Sequence, residues 1–176
     1  MPVMEQKKPS KSEYIKQFER EENGRYRYTG PTVQLSEGWI TASRRAFLML
    51  AVSLALQIIA GCLPAEVMKN TFYVILPFGL GIGLTVLSVY HLYEVYEQSP
   101  AVPEYIWLKH GLSITSCLIA QCILCSLCAA GILVYILSHL QNITAELLPA
   151  LLEAASAFLA WRTHRGIKEQ EQAAGV

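Results

Sequence analysis

Four polar side chains stand inside otherwise apolar stretches, at positions where they could share chemistry. Glu153 lies eight residues from the end of the apolar run 143–161, which is about 12 Å along a helix. Gln57, Thr85 and Gln121 lie roughly 12–17 Å deep in their own runs. A carboxylate in lipid costs at least ~2.5–3.5 kcal/mol, so Glu153 should face other helices and find a partner or a proton. The spacing predicts one polar layer.

Three interpretations of this layer stay open. Glu153, with Gln57 and Gln121 as partners, could form a proton relay or a small-cation site. A neutral Glu153 that hydrogen-bonds to Gln57 or Gln121 would instead hold helices together, and we favour this structural interpretation. In the third interpretation, the helix carrying Glu153 lies flat on a membrane surface.

Four of the five cysteines fall in one apolar run, and Cys122, Cys125 and Cys128 form two C-x-x-C steps. A thiol redox pair could use Cys125 with Cys128, or Cys62 with either of them. We favour helix packing, because small polarizable residues suit contacts between membrane helices. The run lacks a histidine and a second cysteine pair, so we expect no metal site. Only length and helix count agree with four-helix membrane thiol oxidoreductases of the disulfide-forming class, so no family is identified.

The polar side chains and cysteines described above lie in four apolar runs. These runs are predicted to form helices at about 39–63, 71–96, 105–137 and 144–163. Each is at least as long as the ~20 residues that cross a ~30 Å hydrocarbon core. Pro64 should end the first helix, because proline cannot donate the amide hydrogen that continues it. Gly79 and Gly83 form a GxxxG step, which predicts close packing of the second helix against its neighbours.

The positions of the basic residues predict the orientation. Lys and Arg are retained on the cytoplasmic side of a membrane. If four helices cross, every basic residue except Lys69 lies on one side. Three crossings would put Arg162, Arg165 and Lys168 on the wrong side. We therefore expect an even number of crossings and cytoplasmic N- and C-termini.

The polar regions are a cytoplasmic N-terminal segment, residues 1–38, and a cytoplasmic tail, residues 167–176, which flank the transmembrane domain 39–166. Within the first, Tyr14, Ile15 and Phe18 have helical spacing, which predicts a short amphipathic helix over 12–22. This helix could lie on the anionic leaflet. We favour a helix packed against the transmembrane domain or a tail without a surface role.

Composition excludes several classes of protein. Apolar types make up 53% of the 176 residues and charged types 16%, against roughly 25% charged in soluble domains. Acidic and basic residues balance at 14 each, so no basic field attracts nucleic acid. The chain contains no Asp, which excludes sites built on an Asp pair.

The sequence thus predicts an all-α integral membrane protein, a four-transmembrane-helix bundle whose N-terminal segment is cytoplasmic. We expect no enzyme activity, no cofactor and no nucleic-acid partner. The expected partners are the lipid bilayer and other membrane helices, in a homo-oligomer or a larger complex, and the expected host is a bacterial plasma membrane. A structural or accessory role comes first, a small proton- or cation-linked transporter or channel second, and a membrane thiol redox protein third.

Overall fold

The computed structural model describes residues 17–20, 24–139 and 143–174, and these residues are mostly helical. Four short strands are present: β1 (Phe18–Arg20), β2 (Tyr26–Tyr28), β3 (Thr32–Gln34) and β4 (Ala101–Pro103). The long helices are α1 (Glu37–Cys62), α3 (Phe72–Glu97), α5 (Leu112–His139) and α6 (Ile143–Ala174). Two short helices, α2 (Val67–Asn70) and α4 (Glu104–Ile106), and a π-helical turn (Trp107–Gly111) join them.

Three segments are long and apolar enough to cross a membrane: Glu37–Cys62, Phe72–Glu97 and Glu104–His139. The last of these includes α4 and the π-helical turn. The helix α6 is not among them, and it continues to Ala174, eleven residues past the predicted end at 163. Its first half carries Glu146 and Glu153, and its second half is charged.

Local sequence sets where the first two long helices begin and end. The hydroxyl of Ser36 accepts a hydrogen bond from the Trp39 amide at 3.1 Å, which caps the start of α1. The helix ends at Cys62, and the extended residue Leu63 leads into Pro64. The helix α3 continues through Pro77.

Each long helix packs mainly against two of the others, so the four close a ring. The helix α1 contacts α3 and α6, and α5 contacts the same two helices. Two apolar clusters fill the interior. One includes Trp39, Leu92, Trp107, Leu118 and Ile167, and the other includes Val67, Val74, Ile132, Ile136 and Ala150.

The ends of the helices divide into two groups. Strand β3 pairs antiparallel with β4, and the Leu35 amide donates to the Pro100 carbonyl at 2.8 Å, so the N-terminal segment contacts the connection between α3 and α4. Ile167 of α6 joins the apolar cluster beside these strands. We call this the strand end. At the opposite end, the Glu66 amide donates to a Glu146 carboxyl oxygen at 2.8 Å.

The outer faces of the helices are apolar, and a group of polar side chains is buried inside with the two apolar clusters. Phe72 is 74% exposed and Leu137 75%, whereas Gln57, Thr85, Gln121 and Glu153 are fully buried. Other large apolar side chains on the outer faces include Leu48, Leu80, Leu127, Leu151 and Phe158. Water-soluble domains do not expose so many large apolar side chains, and this much exposed apolar surface requires a lipid or protein neighbour.

The amphipathic helix predicted over 12–22 is wrong at Phe18–Arg20, which is strand β1 paired with β2. Gly24 has a φ of 81°, a left-handed conformation that supports the turn between the two strands. The ring of Phe18 lies against Tyr28 and Tyr105, so its apolar contacts come from another part of the chain. Residues 12–16 and 21–23 lie outside the described residues.

Candidate functional site

Seven buried polar side chains from all four long helices meet between the two apolar clusters. We call them the polar layer: Ser53, Gln57, Thr85, Gln121, Cys125, Glu153 and Ser156. Each is fully buried. The structure therefore brings together the four residues that the sequence singled out by depth. It adds three that sequence reasoning did not single out as members: Ser53, Cys125 and Ser156.

Gln57 is the best-connected member of the polar layer. Its amide nitrogen donates to the Cys125 sulfur at 3.0 Å, and its amide oxygen accepts from the Thr85 hydroxyl at 3.0 Å. The amide thus connects α1 with both α5 and α3. A Cβ at Gly81 would lie 3.4 Å from the Gln57 nitrogen and 3.5 Å from the Cys125 sulfur, so a small residue at 81 lets these groups approach.

Ser53 provides the second set of links. Its hydroxyl accepts from the Gln121 amide nitrogen at 3.1 Å, and its carbonyl accepts from the Ser156 hydroxyl at 3.3 Å. One turn of α1 therefore bonds to α5 and to α6. Hydrogen bonds of this kind hold helices together in apolar surroundings, at about 0.6 kcal/mol on average in membrane proteins.

Glu153 is different, because neither of its carboxyl oxygens has a hydrogen-bond partner among the described residues. The hydrogen bond predicted from Glu153 to Gln57 or Gln121 is not formed, since both amide nitrogens donate elsewhere. The amide oxygen of Gln121 is also unpartnered. The thiol of Cys125 lies next to the Glu153 carboxyl. Apart from this thiol, which is a weak donor, no described residue donates to the three open acceptor oxygens of the layer, two on Glu153 and one on Gln121.

This arrangement can hold a positive species. A proton on Glu153 removes its charge and supplies an O–H donor, and a small cation or a water would satisfy oxygens in a different way. The buried face of α6, with Glu146, Ala150, Glu153, Ala157 and Ala160, packs against α1 and α5. That packing disagrees with a helix lying flat on a membrane surface.

All five cysteines are free, so the structure contains no disulfide, and the thiol redox pair stays a prediction. Cys125 accepts from Gln57, and the Cys128 thiol donates to the Val74 carbonyl at 3.7 Å. Cys62 is exposed at the end of α1, five residues past Gln57, or about 7 Å farther along the helix. A disulfide needs Cα atoms about 4.4–6.8 Å apart, so Cys62 would have to shift to reach Cys125.

The glycine step of α3 faces the outside. A Cβ at Gly79 or Gly83 would meet no atom within 4 Å, and both residues are exposed. The predicted close packing at Gly79 and Gly83 against the other helices of this chain is therefore wrong. The close approach is at Gly81, because Gly81 lies on the face of α3 that also carries Thr85 and Ser88.

Sequence reasoning missed a histidine pair near the strand end. The Nδ1 atoms of His91 and His110 are 2.8 Å apart, and His110 lies in the π-helical turn. At this distance one ring donates and the other accepts, so at least one of the two facing nitrogens carries no proton. No spacing rule links positions 91 and 110. A π-helical turn in the connection, which often marks a functional position, was the signal that only the structure supplies.

The described residues contain no cluster of three or more His, Cys or Glu side chains that could hold a metal ion. Comparison with protein-family models, curated proteins and solved structures finds no match for this chain.

Proposed function

We propose that this chain is a structural or accessory membrane protein whose four long helices cross a bacterial plasma membrane, with both termini cytoplasmic. The apolar outer faces and the meeting of Leu35, Pro100 and Ile167 at one end support this placement. At that strand end lie the basic residues of the described chain other than Lys69, as the retention of Lys and Arg in the cytoplasm requires.

The observation that carries the accessory role is the open glycine step of α3. Gly79 and Gly83 lie one turn apart on an exposed, apolar face, and none of the residues that the structure describes fills the space in front of them. Glycines so placed let the backbone of a second helix approach closely. The protein would act by packing this face against another membrane helix, in a second copy or in a larger complex.

The test is the size of the complex extracted from native membranes in a mild detergent. We expect Gly79→Ile with Gly83→Ile to shift the protein from a larger complex to the single chain. The matched control is Ala51→Ile with Ala55→Ile, which adds similar bulk to two exposed positions on the outer face of α1. An unchanged complex in the glycine variant, or equal loss in both variants, would contradict the proposal.

A second function is favoured by one observation, the unpartnered carboxyl of Glu153. A buried acid without a donor is costly unless it binds a proton or a cation, and such residues commonly mark ion pathways in membranes. In this function the chain is a small proton- or cation-linked transporter or channel. Glu153 carries the proton, and Gln57, Gln121 and Thr85 surround it.

Proton flux into sealed vesicles containing the purified protein separates the two functions. We expect Glu153→Gln to abolish flux driven by a pH gradient, and Glu146→Gln to retain it, because Glu146 lies outside the polar layer and accepts from the Glu66 amide. If vesicles that contain the native protein show no more proton flux than empty vesicles, the transport function is contradicted. A Glu153→Gln protein with the native complex size would still be consistent with the accessory role.

A further inference from the structure

A cavity of about 430 Å³ opens between the first half of α1 and the last part of α6. Three arginines line it: Arg45 from α1, and Arg162 and Arg165 from α6. The cavity lies at the strand end, beside the first apolar cluster, with which it shares Ala46. Neither the accessory role nor the transport function uses it.

The cavity is positively charged. Its lining contains one acidic side chain, Glu169, which forms an ion pair with Arg165 at 3.6 Å. Arg45 and Arg162 form no ion pair with any residue within 17–20, 24–139 or 143–174. Two guanidinium groups from different helices are therefore available to one ligand. A guanidinium offers paired N–H donors that match two oxygens of a phosphate.

The cavity runs along the two helices, which line it in antiparallel order. Gly38 contacts the Gln170 side chain at one end of the lining. Met49 lies deeper along α1, where Thr163 donates to its sulfur at 3.6 Å. A Cβ at Gly166 would meet nothing within 4 Å, so this part of the wall is open space.

A tryptophan marks the depth of the cavity relative to a membrane. Trp161 is 40% exposed, and the guanidinium of Arg165 lies 5.5 Å from the centre of its ring. Exposed Trp beside Arg is typical of the boundary between hydrocarbon and headgroups. If the chain crosses the membrane as proposed, the cavity opens at the level of the cytoplasmic headgroups.

We propose that this cavity binds a phosphate group through Arg45 and Arg162. The phosphate comes either from the headgroup of an anionic phospholipid or from a soluble phosphate compound. The lipid source rests on the proposed membrane placement, whereas recognition of the phosphate itself does not.

The test measures binding to the purified full chain in a neutral detergent by native mass spectrometry. The probes are phosphatidylglycerol, phosphatidylcholine and inorganic phosphate. We expect phosphatidylglycerol to bind at least about tenfold more tightly than phosphatidylcholine, since an unneutralised pair of arginines favours net negative charge. If millimolar inorganic phosphate competes with phosphatidylglycerol, the natural ligand is a soluble phosphate compound. If it does not compete, the natural ligand is the lipid headgroup.

Two variants test the site itself. Arg45→Gln with Arg162→Gln should weaken phosphatidylglycerol binding at least about tenfold, whereas the control, Arg44→Gln with Lys109→Gln, removes the same charge outside the cavity and should not. Gly166→Met keeps every arginine but fills the open wall, and it should also weaken binding. Unfolding temperature without lipid checks that each variant is folded.

Two results would overturn the proposal. In one, both charge variants bind phosphatidylglycerol equally, which would indicate a diffuse surface attraction. In the other, a folded Gly166→Met protein binds as the native chain does. These measurements change Arg45, Arg162 and Gly166 and leave Gly79 and Gly83 intact, so they can fail while the complex-size and topology experiments succeed, and the proposals are tested separately.

Discussion

At the scale of single residues, the amide of Gln57 shows how polar groups are accommodated in an apolar interior. Both ends of the amide are used, one by Cys125 and the other by Thr85, so α1 is bonded to two neighbouring helices by one side chain. When a buried polar group loses its hydrogen-bond partner, its whole desolvation free energy is left uncompensated. That penalty is greater than the net free energy that the hydrogen bond contributes to stability. Removing a single hydroxyl from the polar layer should therefore lower the stability of the protein measurably.

Thr85→Val should destabilise the protein by about 1 kcal/mol, because it keeps the shape of the side chain but leaves the Gln57 oxygen without a donor. Thr85→Ser, which keeps the hydroxyl, is the matched control and should lose less. Thermal unfolding in detergent, followed by circular dichroism, measures both. Equal stability of the Val variant and the native chain would show that the hydrogen bond does not contribute.

The sequence predicted which polar residues share a depth, but not how they are paired. Counting along each helix was sufficient to place Gln57, Thr85, Gln121 and Glu153 together, because the rise per residue is fixed. Pairing depends on how each helix is rotated and on shifts smaller than one turn. Those are set by packing with other helices, so Ser53 rather than Glu153 became the partner of Gln121.

At the scale of helices and strands, the rotation of α3 explains the misplaced glycine contact. A GxxxG step indicates that one face is small, but the Gly81 face also carries Thr85 and Ser88, and that face turns inward. The pairing of β3 with β4 could not be predicted from the sequence either, because α1 and α3 separate the two strands along the chain. Such long-range pairing leaves no local pattern in either strand.

Gly81→Leu should destabilise the protein by about 1–3 kcal/mol, because the added side chain displaces Gln57 and Cys125 and separates α3 from α1 and α5. Gly79→Leu adds the same atoms where no atom lies within 4 Å, so it should leave unfolding of the single chain unchanged or raise its temperature. The measurement is unfolding temperature in detergent. If the two variants lose equal stability, the packing face of α3 is not the one described.

A residue in the last turns of α6 should make the stability of the protein depend on pH. Burial raises the pKa of Glu171 above its ordinary value of 4.5, an effect that Lys168 partly opposes. The folded protein therefore binds the Glu171 proton more tightly than the unfolded chain, and stability falls as pH rises from the unfolded pKa through the folded one. A negative charge near the carboxyl end of a helix adds to the cost.

Glu171→Gln should therefore be more stable than the native chain at neutral pH, and this advantage should shrink as the pH falls toward 4.5. Unfolding temperatures of the two proteins, measured across this range in one detergent, give the difference directly. Two curves that stay parallel from neutral to acid pH would show that Glu171 titrates alike in the folded and unfolded chains.

At the scale of the whole molecule, the grouping of the helix ends predicts the membrane topology. The strands, the connection before α4 and the last turns of α6 share the strand end, whereas Cys62, Lys69 and the start of α6 lie at the other. If the helices cross a membrane, each end faces one compartment. The distribution of basic residues predicts that the strand end is cytoplasmic.

Labelling of intact cells with a membrane-impermeant maleimide tests this topology. In a Cys62→Ser background, we expect a cysteine introduced as Asn70→Cys to be labelled from outside, and cysteines introduced as Ser99→Cys or Gln172→Cys to be labelled only after the cells are opened. The basis is that Asn70 lies at one end of the helices, and Ser99 and Gln172 at the other. Labelling of Gln172→Cys but not Ser99→Cys in intact cells would mean that α6 does not cross, and labelling of both without Asn70→Cys would invert the orientation.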